Sequence, residues 1–126
     1  MLTKENKDRN EILLERLTKF SEKLIILCQK LPKTIVNRPL IQQVIPSGTS
    51  MGANYNEACE AESARDFVHK MGIAKKEARE TKYWLRLLQS PSENLSYKSE
   101  LQELRDEANE YVLIFASIIS KFKDKK

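Results

Sequence analysis

The chain has little that turns a backbone and nothing that crosses a membrane. It holds three glycines and four prolines in 126 residues, too few turn formers for an all-β fold with its frequent reversals. No apolar run approaches the roughly 20 residues that span a bilayer, so no membrane partner is expected. The opening, MLTKENKDRNEILLERL, mixes charges of both signs and lacks the apolar centre of a signal peptide, which points to a cytoplasmic protein. Cysteines are two, Cys28 and Cys59. Both fall inside helical patterns and read as free thiols rather than a disulfide or metal pair. The one histidine, His69, falls on a polar helix side. There is no Glu-x-x-His repeat, no His/Cys/carboxylate cluster with metal-ligand spacing, and no glycine-rich loop between a strand and a helix. These absences argue against di-iron, zinc and phosphate-loop chemistry. No catalytic residue, metal or cofactor is expected. Glu57, Glu77 and Glu80 converge if their helices are neighbours. Paired carboxylates can do acid–base work, but fixing helix register is the reading adopted for them.

What the chain does have is charge, unevenly placed. The net charge is only +4. Residues 63–89 nevertheless carry seven Lys/Arg against three Asp/Glu, and residues 92–120 carry two against six. One basic and one acidic helix give the molecule a polarity that can steer an anionic partner or another copy of itself.

Spacing predicts four helices, over 8–31, 38–62, 63–89 and 99–122, in one domain. In the first, Leu13, Leu17, Phe20, Leu24, Leu27 and Leu31 recur at alternating intervals of four and three, one face of a helix, which Pro32 ends. In the third, Phe67, Met71, Ala74, Ala78, Thr81, Leu85 and Leu88 keep the same rhythm. The small residues at its middle allow a neighbour to come close. Ser63 with Asp66 offers a cap at its start, and Ser90-Pro91 closes it. In the fourth, Leu101, Leu104, Ala108, Tyr111, Phe115, Ile118 and Phe122 form the stripe, with Ser99 and Gln102 as a capping pair. Short links make neighbouring helices antiparallel, so the expected fold is all-α, an up-down-up-down four-helix bundle.

The second helix contains IPSGTSMGANYNEA, residues 45–58, with two glycines and a proline that weaken a helix. On a helical wheel Gly48 and Gly52 share the inward face with Ile41, Met51 and Tyr55, so both are read as points where a neighbouring helix, the third or one from another subunit, packs closely. Pro46 is expected to kink the helix near Gln42–Ile45, or to break it over 46–49. Ser47, Ser50 and Asn54 line one flank, with Glu57 further along. They are read either as a solvated helix edge or as a polar network that reaches Glu77 through an Asn54–Glu77 contact and fixes the register of two helices.

The run from Pro46 to Leu88 carries S-x-G-A-N-x-x-E-A, then D-F-x-x-K-x-G-I-A-x-K-E-A-x-E-T-x-Y-W-L. It resembles the signature of the 23S ribosomal RNA intervening-sequence proteins, and looser similarity runs along most of the chain. The resemblance implies a four-helix bundle from a family encoded in extra segments of bacterial 23S rRNA genes and elsewhere in bacterial genomes. It also implies a ring-shaped homo-oligomer, a pentamer, because members resemble proteins that assemble so. A related branch is the accessory protein of diversity-generating retroelements, which binds nucleic acid and partners a reverse transcriptase. The family has no established enzymatic activity, so no catalytic residue is carried over.

The strongest positive signal is Lys75, Arg79, Lys82 and Arg86, spaced four, three and four apart, with Lys76 at the edge. Such a row can track a phosphate backbone, and the opposing reading is a solvated face paired to Glu80 and neighbours. No aromatic interrupts the row, although Tyr83 is close, so base stacking is not strongly indicated. Ile12, Leu14, Ile25, Ile26, Val112, Ile114 and Ile119 lie off the core stripes; some of them broaden the core, and together they suggest self-association. The leading expectation is a non-enzymatic homo-oligomer that binds RNA or DNA backbone. The alternative is a structural or protein-interaction module, such as a reverse-transcriptase accessory scaffold, with no nucleic acid bound directly.

Overall fold

The computed structural model describes residues 4–124. Helix α1 spans Lys4–Lys30, α2 Asn37–Cys59, α3 Ala64–Leu88 and α4 Lys98–Asp124, with a 3-10 helix over Ser92–Tyr97 leading into α4. The pairings run antiparallel. Ser47 faces Thr81 and Glu57 faces Lys70 between α2 and α3, while Lys82 faces Asn109 and Gln89 faces Gln102 between α3 and α4. Numbers rise on one helix as they fall on its neighbour. The described chain is thus an all-α four-helix bundle, and none of its helices is long and apolar enough to cross a membrane.

The three heptad stripes form the core. Leu17, Phe20, Leu24, Leu27 and Leu31 are buried from the α1 side, Met71, Ala74, Ala78, Thr81, Leu85 and Leu88 from α3, and Leu101, Leu104, Ala108, Tyr111 and Phe115 from α4. The helices are not equally close. Helix α3 packs along both α2 and α4, and α1 packs on α2, but the backbones of α1 and α4 approach at few points. Side-chain size explains this. Ala74, Ala78 and Thr81 let α3 lie close to its neighbours, whereas the α1–α4 seam is filled by Phe20 set edge-on to Tyr111, ring centroids 5.7 Å apart. The Arg16 guanidinium lies 5.2 Å from the Tyr111 ring centroid and pairs with Glu110 at 3.0 Å, closing the seam from outside.

Helix ends follow local chemistry, with departures from the expected bounds that include α1, which begins at Lys4 rather than 8. The Ser63 hydroxyl accepts from the Asp66 amide at 3.0 Å and caps α3 as expected. Helix α2, however, stops at Cys59 rather than 62. The Glu60 and Ala61 amides turn back to the Glu57 and Ala58 carbonyls, tightening the last turn. Ser99 is not a cap, because the 3-10 helix delivers the chain into α4 at Lys98. At the end of α1 the Lys33 ammonium donates to the carbonyls of Cys28 at 2.6 Å and Gln29 at 3.2 Å, a cation on the negative end of the helix dipole.

Helix α2 runs unbroken through Pro46, so the break considered over 46–49 does not occur. Hydroxyls crowd the carbonyls around the proline. Ser47 Oγ donates to Val44 at 3.2 Å, Thr49 Oγ1 to Ile45 at 2.8 Å and Ser50 Oγ to Pro46 at 2.6 Å. These hydroxyls satisfy themselves on their own helix. Both cysteines are free thiols.

At one end of the bundle, Asn37 and Asn94 are fully buried and face each other. Each amide donates to the other's carbonyl, at 2.7 and 2.8 Å. The remaining amide hydrogens go to the Pro32 and Leu88 carbonyls, both at 2.8 Å. The pair fastens the α1–α2 turn to the α3–α4 link across 57 residues of sequence. Outside it, Ile35 is 90% and Leu95 70% exposed.

Candidate nucleic-acid interface

Helix α3 turns its core stripe inward and therefore presents the opposite surface to water. The cation row lies there. Lys76, Arg79 and Arg86 are exposed, while Lys75 and Lys82 are half-buried beside α4. Lys82 Nζ is committed, donating to Asn109 Oδ1 at 2.9 Å. Among the described residues the ion pairs within 4.0 Å are Arg9–Glu5, Arg16–Glu110, Lys30–Glu100 and Lys70–Glu57. None includes a member of the row. The intrahelical pairing to Glu80 that would have neutralised this face is not formed at that distance.

A groove of about 570 Å³ opens on this face, between α3 and the C-terminal part of α4. Its lining combines Val68, Gly72 and Ile119 with Lys75, Lys76, Arg79 and Glu80. Gly72 is exposed, and a methyl added there would meet nothing within 4 Å. The sequence reading missed the groove, although Gly72, Lys75, Lys76 and Arg79 recur at three, four and seven residues and so share a face. What it had no means of supplying was Ile119, which comes from another helix.

The polar residues of α2 arrange themselves otherwise than expected. Asn54 Nδ2 donates to the Ser50 carbonyl at 2.9 Å, within α2, and makes no bond to Glu77. The cross-helix link is instead Thr81 Oγ1 to Ser47 Oγ, buried and 3.0 Å long. Glu57 leans on Lys70 at 3.4 Å, two turns along α3 from Glu77. Burial first, and then the nearby Glu80, push the Glu77 carboxyl above its usual range, with Lys76 opposing. The three glutamates do not form a metal-holding group, and none is found among the described residues. His69 is exposed.

The two inward glycines differ. A Cβ on Gly48 would fall far inside 3.0 Å of the Leu24 δ-methyl and touch Thr81 Cγ2 at 3.7 Å, so α1 and α3 both crowd this point. A Cβ on Gly52 would meet only Leu17 Cβ at 3.6 Å, an ordinary contact. The close approach expected at both positions is found at Gly48, and its nearest neighbour is α1 rather than α3.

Residues 9–117 match the family described as 23S rRNA-intervening sequence protein. The chain belongs to that family. A crystal structure of a protein of unknown function from the S23 ribosomal protein family of Bacteroides thetaiotaomicron is similar to it. The two share 30% identity and a TM-score of 0.73, over 88% of this chain and 97% of the other. A comparison with curated proteins finds no match. In this intervening-sequence protein the signature residues divide by environment. Ala58, Ala74, Ala78, Thr81 and Leu85 are buried between helices, whereas Gly72, Lys76, Glu80 and Tyr83 face outward on α3.

Proposed function

We propose that this intervening-sequence family protein is a non-enzymatic, self-associating bundle that holds nucleic-acid backbone on the outer face of α3. The observation that carries the reading is the unpaired state of Lys75, Lys76, Arg79 and Arg86: each lies beyond 4.0 Å from any described carboxylate. A phosphate arriving here displaces no such ion pair, although Glu80 lines the same groove and Glu77 lies within electrostatic reach of Lys76. Binding through such a row is electrostatic, tolerant of sequence and steeply salt-dependent. Gly72 leaves the helix surface open one turn before Lys75 and Lys76, so a sugar-phosphate chain can lie against it at that end of the row.

Self-association is supported by α1. Of the off-stripe residues, Leu14, Val112, Ile114 and Ile119 pack against the core, but Ile12, Ile25 and Ile26 stay 64%, 40% and 52% exposed. The basic α3 and acidic α4 suit a ring in which two different surfaces of each subunit meet, and a pentamer is the form the family resemblance suggests. Light scattering on dilute protein is expected to give several times the 14.6 kDa chain mass. A monomer at micromolar concentration would remove this part of the reading.

The second reading, docking of another protein, is favoured by Ile35 and Leu95 at the loop end. Titration with RNA and DNA at low and moderate salt separates the two. Affinity that collapses as salt rises supports backbone binding, and silence at low salt supports the docking module.

A further inference from the structure

The row of cations contains one group that phosphate binding does not use. Tyr83 lies four residues after Arg79 and three before Arg86, on the same helix face. Its side chain is 54% exposed, and its hydroxyl makes no hydrogen bond with the described residues. One edge of the ring is held by Trp84, centroids 5.4 Å apart at 62°, and Trp84 is itself half-buried. The ring therefore touches Trp84 and is otherwise open to water, with Arg79 and Arg86 about one turn before and after it on the helix.

We propose that this face takes single-stranded nucleic acid, with Tyr83 as the platform on which an unpaired base stacks. This deepens the backbone-binding reading and rests on it. Duplex bases are already stacked on one another and lie inside their phosphates, so a duplex can engage the cations but has no free base for the ring. In a single strand, bases and phosphates are both available along one edge. A cation row with an aromatic set into it engages both. From Lys75 to Arg86 is 11 residues of helix, about 16 Å at 1.5 Å per residue, with Tyr83 toward one end. The strand's phosphates run along Lys75, Lys76 and Arg79 past Gly72, and its base reaches the ring between Arg79 and Arg86.

The test uses the full chain and three probes of equal length: oligothymidylate, oligouridylate and a DNA duplex. Both single strands are expected to bind more tightly than the duplex. Binding of either is expected to change the fluorescence of Trp84, the sole tryptophan, because a base stacks on the ring beside it. Tyr83→Leu should lose about 5- to 150-fold in single-strand affinity, the range that one stacked base supplies. Its salt slope should be unchanged, since no phosphate contact is removed. Tyr83→Phe keeps the ring and should bind like the parent. At so exposed a position both variants should fold, which a matching thermal midpoint checks. A preference for duplex, or Tyr83→Leu binding single strands like the parent while salt dependence persists, overturns the stacking proposal and leaves backbone binding in place. No salt-dependent binding to any probe overturns both.

Discussion

A methyl group at Gly48 tests the packing more sharply than any truncation. In Gly48→Ala the new Cβ falls far inside 3.0 Å of the Leu24 δ-methyl, where carbon atoms prefer about 3.5 to 4.0 Å. Leu24 is a flexible side chain, but it is fully buried, so its methyl has to turn within the core rather than out to solvent. Either Leu24 leaves its rotamer or α1 and α2 separate, which would also loosen the 3.4 Å bond from Ser21 Oγ to the Gly48 carbonyl. Overpacking of this kind costs about 1 to 3 kcal/mol. Alanine's higher helix propensity returns about 1 kcal/mol, leaving a net loss of about 0 to 2. Gly52→Ala receives the same propensity gain and meets only an ordinary contact at 3.6 Å, so it should stabilise by about 0.5 to 1 kcal/mol. Gly72→Ala meets nothing and should gain about 1 kcal/mol. Urea midpoints with unchanged m-values read the differences. A Gly48→Ala midpoint that rises as far as that of Gly52→Ala refutes the argument.

The buried amide pair should be costly to break. Asn94→Ala strands the Leu88 carbonyl and half of Asn37, so a loss of about 2 to 3 kcal/mol is expected. The Asn37→Ala, Asn94→Ala double variant should lose less than the sum, because the two residues share their bonds; additive losses by denaturation would contradict the pairing. The Cys28 thiol is pushed up to about 11 by burial, from an ordinary value of 9.0. Below pH about 9 it is protonated in both states and contributes no pH dependence. Between about 9 and 11 the unfolded chain releases the proton and the native chain keeps it, so stability falls as pH rises. Cys28→Ala should show a shallower alkaline decline than the parent; parallel declines would show that the thiol is not responsible. Ile12→Lys and Ile26→Lys are expected to lower the scattering mass with helicity intact, and an unchanged mass would move the self-contact away from α1.

The core was legible because burial repeats every seven residues, and a helix with that period has only one face to hide. Leu17, Met71 and Phe115 needed no knowledge of their partners. The polar links were not legible, for the opposite reason. Ser47, Ser50 and Asn54 sit on one flank by spacing, yet each has a carbonyl of its own helix within reach. Which one instead crosses to α3 depends on where Thr81 falls. Gly48 and Gly52 likewise share a face, but the branched end of Leu24 points at one and the Cβ of Leu17 at the other. That difference lies in a neighbour's side chain, outside the local pattern. Asn37 opens α2 and Asn94 lies in the 3-10 helix before α4, with no shared periodicity to join them. On the outer face, spacing revealed the cations, whereas the lack of carboxylate partners and the exposure of Tyr83 emerged only once all four helices were placed.

The exposed cations of α3, outside any ion pair within 4.0 Å, carry the proposed function. The direct measurement is single-strand affinity as a function of salt, for the parent and for variants with Arg79→Gln and Arg86→Gln, singly and together. The parent is expected to give a straight fall of log affinity with log salt. Each substitution should make that slope shallower by about 0.7, the share of one single-strand phosphate contact, with the fold unchanged because both side chains are exposed. Slopes identical to the parent's in all three variants would contradict the claim that this face of α3 holds the backbone.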